Sequence, residues 1–311
     1  MVTGGGGFVG SHLIDSLLAR GDEVIAVDNL VGSNGSDRNI AHALGHPRFK
    51  FYNEDILNWA NAKALEGVDT VFHQAASKNT VSLRDPERDL AVNGQGTLRL
   101  LLASVHAGVQ KFVHGSTGSV FGELQERQDE SHPTRPRSFY GVSKLAAEGY
   151  CRVAREIYGL DFTVLRYYHV IGPRQDDSDS GGVVPIFIRR CEEGRPITIF
   201  GTGQQVRSFT SVDDVVRANL LVADYPRAAG EFYNCASAIQ VSIQELAEFV
   251  RDEMNSDVPI VYDEWRPGDI VNFDIDNRKI RAIGAEFVTD WKEVVRRVIA
   301  SRAIAGERAL S

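Results

Sequence analysis

The first half of the chain alternates short apolar runs with longer stretches whose apolar positions repeat at helical spacing. A glycine-rich turn after residue 3 leads into an amphipathic helix that stops at Gly21. The stretches 87–108 and 140–158 have the same helical character. Between them lie runs rich in β-branched and aromatic residues, at 1–3, 23–30, 49–56, 69–76, 111–117 and 162–170. This alternation predicts an α/β fold in which helices cover both faces of a parallel sheet.

The pattern changes after residue 170. A polar, glycine-rich loop is expected at 172–182, and the later elements are a helix at 183–194, a strand at 197–200, a helix at 211–223, a strand at 231–236 and a helix at 242–254. We therefore predict a doubly wound Rossmann lobe over 1–168 and 208–236. A smaller C-terminal α/β lobe over 169–207 and 237–311 would bind the substrate. The active cleft would lie between the lobes, at the carboxyl ends of the strands.

Composition narrows the class of protein. The 311 residues are 43% hydrophobic and 24% charged, with a net charge of −8, which is typical of a globular protein with a core. The absence of a long basic run argues against nucleic acid or a membrane surface as main partners. No apolar run reaches the ~18 residues of a membrane span. Because the strand before the first glycines is almost missing, we also expect the natural start to lie a few residues upstream.

The cysteines indicate a reducing compartment. Cys151, Cys191 and Cys235 lie far apart, with no Cys-x-x-Cys spacing and no Cys/His cluster. This pattern predicts reduced thiols in a cytoplasmic protein and no metal site.

The glycine-rich turn is the first candidate for chemistry. Gly4, Gly7 and Gly10 follow a strand stub and precede a helix, where backbone N–H groups can hold a pyrophosphate. Asp28 ends the next strand, where an acid would bind a ribose hydroxyl and disfavour a 2′-phosphate. The pattern therefore indicates NAD rather than NADP, although an ordinary strand-to-helix turn would also use glycines.

A tyrosine and a lysine are the second candidate. Tyr140 and Lys144 are four residues apart in a predicted helix and therefore share a face. A lysine charge beside a phenol would lower the phenol's pKa from about 10 and provide a general base. The alternative is an incidental pair on an exposed helix.

Together these features resemble a known family. The glycine loop, Asp28, "HGSTGSVFGE" at 114–123 and "YGVSK" at 140–144 resemble the extended short-chain dehydrogenase/reductase family, specifically its nucleotide-sugar epimerases and dehydratases. The resemblance implies NAD as the cofactor and a nucleotide sugar, with a UDP-sugar favoured, as the substrate. It implies that Tyr140 takes a proton from a sugar hydroxyl, that Thr117 hydrogen-bonds the same oxygen, and that Lys144 also binds the nicotinamide ribose.

The resemblance also assigns binding residues. For the cofactor these are Gly4, Gly7, Phe8, Val9, Gly10, Asp28, Asn29, Asp55, Ile56, Ala75, Ala76, Asn93, Tyr140 and Lys144. For the substrate they are Lys78, Thr117, Gly118, Ser119, His169, Val184, Phe200, Arg207, Arg266, Asp269 and Phe273.

Several of these assignments have alternatives. Arg207 and Arg266 would bind the diphosphate, or they are surface arginines. Lys78 would reach a phosphate or a substrate carboxylate, or is solvated. His169 replaces the family's usual Asn and would add pH dependence to substrate binding. Phe273 would narrow the pocket beside the sugar's C2 substituent, or it packs elsewhere.

The residues after Thr117 bear on the reaction. In the resembling dehydratases the catalytic Thr is typically followed by Asp-Glu, and decarboxylases typically keep the Glu. Gly118 and Ser119 cannot transfer a proton at neutral pH. The resemblance therefore favours a 4-epimerase acting through a transient 4-keto sugar. A dehydratase, a decarboxylase, a 4-ketoreductase or simple dehydrogenase, and a non-catalytic NAD-binding regulatory protein remain alternatives.

The two long helical stretches bear on assembly. They carry apolar stripes such as Leu90, Thr97, Leu98, Leu101 and Leu102. By resemblance these stripes form a four-helix homodimer interface, whereas the alternative is that they only cover the sheet.

Overall fold

The computed structural model describes residues 1–31, 37–59, 62–123, 126–179, 181–265 and 274–310. The strands are β1 (Val2–Thr3), β2 (Val24–Asp28), β3 (Phe49–Asn53), β4 (Thr70–His73), β5 (Lys111–Thr117), β6 (Asp161–Tyr167), β7 (Val170–Ile171), β8 (Ile197–Phe200), β9 (Val206–Arg207), β10 (Thr210–Ser211), β11 (Glu231–Cys235), β12 (Val241–Ser242) and β13 (Ile260–Asp263). The helices are α1 (Phe8–Arg20), α2 (Asn79–Ser82), α3 (Pro86–Leu90), α4 (Thr97–Ala107), α5 (Phe139–Tyr158), α6 (Val183–Glu192), α7 (Val212–Asp224), α8 (Ile243–Glu253), α9 (Arg278–Arg281) and α10 (Trp291–Leu310).

A parallel sheet with the strand order β11-β6-β5-β4-β1-β2-β3 forms the centre of the molecule. Helices α1 and α7 pack on one face through an apolar cluster that includes Leu13, Ile14 and Val215. Helices α4 and α5 pack on the other face through a cluster that includes Leu101 and Cys151. This arrangement confirms the predicted doubly wound α/β fold.

A third apolar cluster lies in the later part of the chain. It joins α6, α8 and α10 with the two-stranded sheet of β8 and β13. The segment around Ile280 and Ala285, which the predicted bounds assign to the second lobe, packs instead in the cluster under α1 and α7. The bounds of the two lobes stay a prediction.

The helical stretch predicted at 87–108 is composed of three pieces. Helices α3 and α4 are joined by a π-helical segment, Ala91–Gly96. The predicted stripe divides between two directions, because Thr97 and Leu101 are fully buried whereas Leu90 and Leu102 are exposed. The stripe therefore covers the sheet and also presents apolar side chains outward.

Helix starts follow local capping chemistry. Helix α5 begins after Ser138, whose hydroxyl accepts a hydrogen bond from the Gly141 N–H at 3.0 Å. Helix α8 begins with a full capping box between Ser242 and Glu245. Among the described residues, no helix is long and apolar enough to cross a membrane.

Candidate active site

A cavity of about 690 Å³ opens at the carboxyl ends of β1, β2, β4 and β5. This volume lies in the range of about 300–1,000 Å³ usual for small-ligand sites. The predicted cofactor residues on its wall are Gly4, Gly7, Phe8, Val9, Gly10, Asp28, Asn29, Asp55, Ile56, Ala75, Ala76, Tyr140 and Lys144. The sheet therefore collects these side chains and loops from across the first half of the chain into one cleft.

The glycine loop has room for backbone only. Gly4 has a φ of +67°, and a Cβ added there would stand 2.6 Å from the Ala75 nitrogen. A Cβ on Gly10 would overlap the carbonyl of Gly4. The loop thus closes tightly against the start of α1, whose residues Phe8, Val9 and Gly10 line the cleft where a helix N-terminus can hold a pyrophosphate.

Asp28 holds the other side of this loop. Its carboxylate accepts hydrogen bonds from the Gly6 N–H at 3.0 Å and from the Leu30 N–H at 2.8 Å. Burial raises the pKa of Asp28, and these backbone donors oppose the rise. A carboxylate at the end of β2 beside a glycine-rich loop fits the ribose and pyrophosphate of a dinucleotide.

An ion pair that the sequence did not predict lies on the wall of the cleft. Arg88 donates to the Asp55 carboxylate at 2.6 Å, and Asn29 donates to the same oxygen at 2.9 Å. Arg88 also lines the cleft. The acid after β3 was identified from the sequence, but its partner 33 residues away was not.

Asn93 differs from the other predicted cofactor residues, because it is fully buried behind the wall of the cleft. Its side-chain oxygen accepts the Ser77 N–H at 2.8 Å, and its amide nitrogen donates to Asp89 at 3.0 Å. Ser143 donates to the same Asp89 carboxylate at 2.6 Å. Asn93 therefore positions the loop after β4 rather than facing the cleft itself.

The predicted catalytic residues meet where β5 ends beside α5. The Thr117 hydroxyl donates to the Ser119 hydroxyl at 3.2 Å, and Thr117 lies close enough to Tyr140 to influence the pKa of its phenol. Lys144 is almost fully buried, and its ammonium donates to the Gly115 carbonyl at 2.6 Å. A phenol and an ammonium thus stand on one helix face against a strand end, as the i, i+4 spacing predicts.

The expected lowering of the Tyr140 pKa is wrong for this structure. Burial raises the pKa of Tyr140 to about 12, the nearby Asp89 carboxylate adds to the rise, and Thr117 only partly opposes it. Burial also lowers the pKa of Lys144 to about 8. The sequence argument counted the lysine charge, but desolvation is the larger effect in this site.

The two residues after Thr117 occupy a confined corner. A Cβ on Gly118 would overlap the ring of Tyr168, which is itself buried and donates from its hydroxyl to the Asn234 side-chain oxygen at 3.0 Å. The Ser119 N–H donates to the Thr117 hydroxyl oxygen at 3.2 Å. Residue 118 therefore has no space for a side chain while Tyr168 remains in place.

The predicted substrate residues are gathered less completely. The charge of Arg207 acts on His169, so these two side chains lie near each other. Burial, followed by Arg207, holds the pKa of His169 well below its usual range, which contradicts the pH dependence expected of it near neutral pH.

The Val184 side chain is fully buried in the core of α6, α8 and α10, and not on a cleft wall. Phe200 ends β8, where its carbonyl accepts from the Gln205 amide at 2.6 Å.

Of the remaining predicted substrate residues, only Lys78 lies within the described part of the chain. Lys78 lines the cleft, where its ammonium donates to the buried Asp176 carboxylate at 2.6 Å. It is therefore ion-paired rather than simply solvated. Arg266, Asp269 and Phe273 lie outside the described residues, so their predicted roles have no structural counterpart here.

Comparison with known proteins agrees with this geometry. The model of the NAD dependent epimerase/dehydratase family matches residues 1–236, about three quarters of the chain. The chain belongs to this family. It is an enzyme of that NAD-dependent family, and its cofactor is NAD.

Similar proteins show the range of reactions in the family. The chain is 35% identical over 288 residues to a UDP-glucose 4-epimerase of Mycolicibacterium smegmatis, covering 91% of each protein. A UDP-glucose 4-epimerase of Thermotoga maritima, crystallised with UDP-glucose, superposes with a TM-score of 0.90 at 34% identity, covering 98% of both chains. A UDP-glucuronic acid 4-epimerase of Bacillus cereus, with UDP-glucuronic acid and NAD, gives 0.92 at 29% identity and the same coverage.

Other family members eliminate water. A dTDP-glucose 4,6-dehydratase of Streptomyces griseus is 32% identical over 287 residues, covering 90% of this chain and 86% of that protein. Overall similarity therefore fixes the family, whereas the reaction has to be inferred from the site.

Proposed function

We propose that the enzyme is a 4-epimerase of a nucleotide sugar, a UDP-hexose or a UDP-hexuronic acid. The observation that supports this most directly is the corner formed by Thr117, Gly118 and Tyr168. Thr117 and Tyr140, which lie beside each other, would align and transfer the proton of the sugar hydroxyl. Beside them, the position of Gly118 is filled by the Tyr168 ring.

This corner argues against elimination and decarboxylation. Loss of water from a sugar requires an acid that protonates the departing hydroxyl and a base that removes a carbon-bound proton. Gly118 has no side chain and no room for one, and the Ser119 hydroxyl has no useful acidity near neutral pH. A 4-keto sugar formed at this site would therefore keep its remaining substituents.

The chain's own residues would move one proton and fix the geometry. Tyr140 would take the proton of the sugar's C4 hydroxyl and later return it, with the Thr117 hydroxyl aligning the same oxygen. NAD, when bound, supplies hydride acceptance and donation at C4. Because burial raises the pKa of Tyr140 to about 12, Tyr140 holds its proton in this structure, so it has to lose that proton before it can accept the one from the sugar. Lys144 would bind the nicotinamide ribose while its ammonium is held against Gly115.

Substrate binding would use the second lobe. Arg207 and Arg266 would neutralise the diphosphate, because guanidinium keeps its charge and forks onto phosphate oxygens. His169, kept neutral beside Arg207, would contribute hydrogen bonding rather than charge. Asp269 would bind the nucleotide ribose, Phe200 would lie near the base, and Phe273 would border the sugar.

The test is conversion of nucleotide sugars by the NAD-loaded enzyme. Incubation with UDP-glucose or UDP-glucuronate should give an isomer of unchanged mass that chromatography identifies as the C4 epimer. A product lighter by one water would identify a dehydratase, and one lighter by carbon dioxide would identify a decarboxylase. Stoichiometric release of NADH would identify a dehydrogenase. Any of these three results would overturn the epimerase assignment.

We also propose that the enzyme is a homodimer formed through α4 and α5. Leu90, Leu102, Val142, Val153 and Ile157 are exposed apolar side chains at or near these two helices. A second copy of the same face would cover them and form a four-helix interface. Sedimentation should give a dimer for the wild type and a monomer for Leu102→Glu. Leu44→Glu, at an exposed leucine elsewhere, should stay dimeric.

A further inference from the structure

A buried ion pair lies one helical turn beyond the predicted catalytic lysine. Glu148 follows Lys144 by four residues in α5, and both side chains are almost fully buried. Arg166 on β6 donates to both carboxylate oxygens of Glu148, at 3.0 and 2.8 Å. The bidentate geometry makes this one of the stronger pairings available to a buried carboxylate.

The same carboxylate holds the strand end that Lys144 contacts. The Ser116 hydroxyl donates to Glu148 at 2.7 Å. Its neighbour Gly115 accepts the Lys144 ammonium at 2.6 Å. Lys144 and Glu148, one helical turn apart in α5, thus hold the neighbouring residues Gly115 and Ser116 of β5. Both strand residues line the cleft.

Burying the charges of Glu148 and Arg166 costs free energy, and good packing alone does not account for their presence. Burying two charges is often no more stabilising than apolar residues of the same size. An apolar pair here would leave Lys144 as a buried ammonium with less negative charge around it. The position of Glu148 on the Lys144 face therefore suggests a role beyond stability.

We propose that Glu148 is a positioning residue that keeps Lys144 charged and directed at Gly115, and that Arg166 sets how strongly Glu148 does so. The carboxylate attracts the ammonium, and Arg166 balances part of that attraction. The inference rests on the proposed role of Lys144, but it concerns a charge that can be measured without any sugar.

Several charged or titratable groups face Lys144 and define its surroundings in the described part of the chain. They are Asp89 on α3, His73 on β4, His114 on β5, Tyr140, Glu148 and Cys151 on α5 itself, and Arg166 on β6 behind Glu148. Burial lowers the pKa of Lys144, and Glu148 is the largest influence raising it. Both histidines have pKa values far below neutrality because they are buried, so neither changes charge near neutral pH.

The experiment follows the Lys144 ammonium directly. The chain has seven lysines, so the ¹³Cε signals of labelled lysine are few, and the signal absent in Lys144→Arg identifies Lys144. Its pH titration is recorded in the NAD-loaded enzyme without sugar. Glu148→Gln should lower the Lys144 pKa by about one unit or more, since a negative neighbour is lost and Arg166 remains. Arg166→Gln should raise the pKa, because Glu148 is then unopposed.

Matched variants separate this effect from simple destabilisation. Glu156→Gln makes the same chemical change at an exposed position of α5 and should leave the Lys144 pKa unchanged. If Glu148→Gln does not fold, Glu148→Asp, which keeps the charge, replaces it as the variant at that position. The direction of the Lys144 pKa shift in Arg166→Gln then decides the test. Opposite shifts in the two variants support the inference. An unchanged Lys144 pKa, or shifts in the same direction, overturns it.

A second readout connects the charge to turnover. The alkaline limb of the pH–rate profile should move to lower pH in Glu148→Gln and to higher pH in Arg166→Gln, by the same amounts as the Lys144 pKa. Absence of epimerisation by the wild type would refute the proposed function and leave the nuclear magnetic resonance result standing. A profile that does not follow the measured Lys144 pKa would overturn the link between Glu148 and catalysis.

Discussion

The cofactor half and the sugar half of the cleft are built in different ways. On the cofactor side, Gly4 and Gly10 lie where only a bare backbone fits, and Asp28 accepts the Gly6 N–H of the glycine loop and the Leu30 N–H. On the proposed sugar side, Lys78 is paired with Asp176 and His169 lies beside Arg207. The cofactor side is constrained by close backbone packing, and the proposed sugar side by pairs of side chains that meet from distant parts of the chain.

This difference shows which substitutions alter which property. A backbone cradle accepts one kind of ligand group and tolerates few changes, because any added atom overlaps a neighbour. A set of paired side chains can be exchanged one at a time while the fold is kept. We therefore expect the cofactor side of the site to tolerate fewer substitutions than the proposed sugar side.

The largest expected effect is at Tyr140, where the two halves meet. Tyr140→Phe removes the hydroxyl that lies near Thr117 and leaves the ring in place. The rate of epimerisation should fall about 10²–10⁴-fold, while NAD content and the melting temperature stay near those of the wild type. A variant that keeps more than half of the wild-type rate would show that another group moves the proton.

The next effect tests the sugar half alone. If Phe273 borders the C2 substituent, the wild type should prefer UDP-glucose and UDP-glucuronate over UDP-N-acetylglucosamine. Phe273→Ser should narrow that preference, and a crowded site of this kind is typically worth 1–3 kcal/mol, or about 5- to 150-fold in kcat/KM. Equal turnover of plain and acetylated sugars by the wild type would rule out Phe273 as the gate.

A comparable effect on stability is expected at Gly118. Gly118→Ala places a methyl group against the Tyr168 ring and should lower the free energy of unfolding by about 1–3 kcal/mol. Gly45→Ala is the control, since nothing lies within 4 Å of a Cβ there. Urea unfolding measures both. Equal stability of the Gly118 variant and the wild type would mean that the ring yields without cost.

The smallest effect concerns the pair Lys78–Asp176. Lys78→Met, Asp176→Asn and the double variant form a thermodynamic cycle whose coupling energy should be about 0.2–1 kcal/mol, because Lys78 is partly exposed. If Lys78 also binds substrate phosphate, Lys78→Met should raise KM and Asp176→Asn should not. Equal KM changes in both single variants would indicate that the pair only joins the two segments.

The sequence predicts most of what depends on local pattern. Helix α5, the glycine loop and Asp28 were found because capping, spacing and strand endings are encoded within a few neighbouring residues. Helix α10 was missed, although Val294, Val295 and Val298 have helical spacing and are buried. The very short strands β9 and β12 were also missed, because two-residue runs carry no periodicity.

Contacts between distant residues could not be predicted in this way. The partners Lys78 and Asp176 are 98 residues apart, and Gly118 and Tyr168 meet only because β5 and β6 are adjacent. The raised pKa of Tyr140 depends on burial, which the i, i+4 spacing does not report. These features arise from the three-dimensional arrangement, so each required the structure.

The contact between Gly118 and Tyr168 also constrains how this site can diverge. An acidic residue at 118 is excluded while the ring remains, so a smaller residue at 168 has to arise first or at the same time. The first of those steps has its own cost, because it removes a buried ring and the hydrogen bond to Asn234. A side chain at 118 and the ring at 168 are therefore coupled, so a change at either position would alter the stability cost of a change at the other.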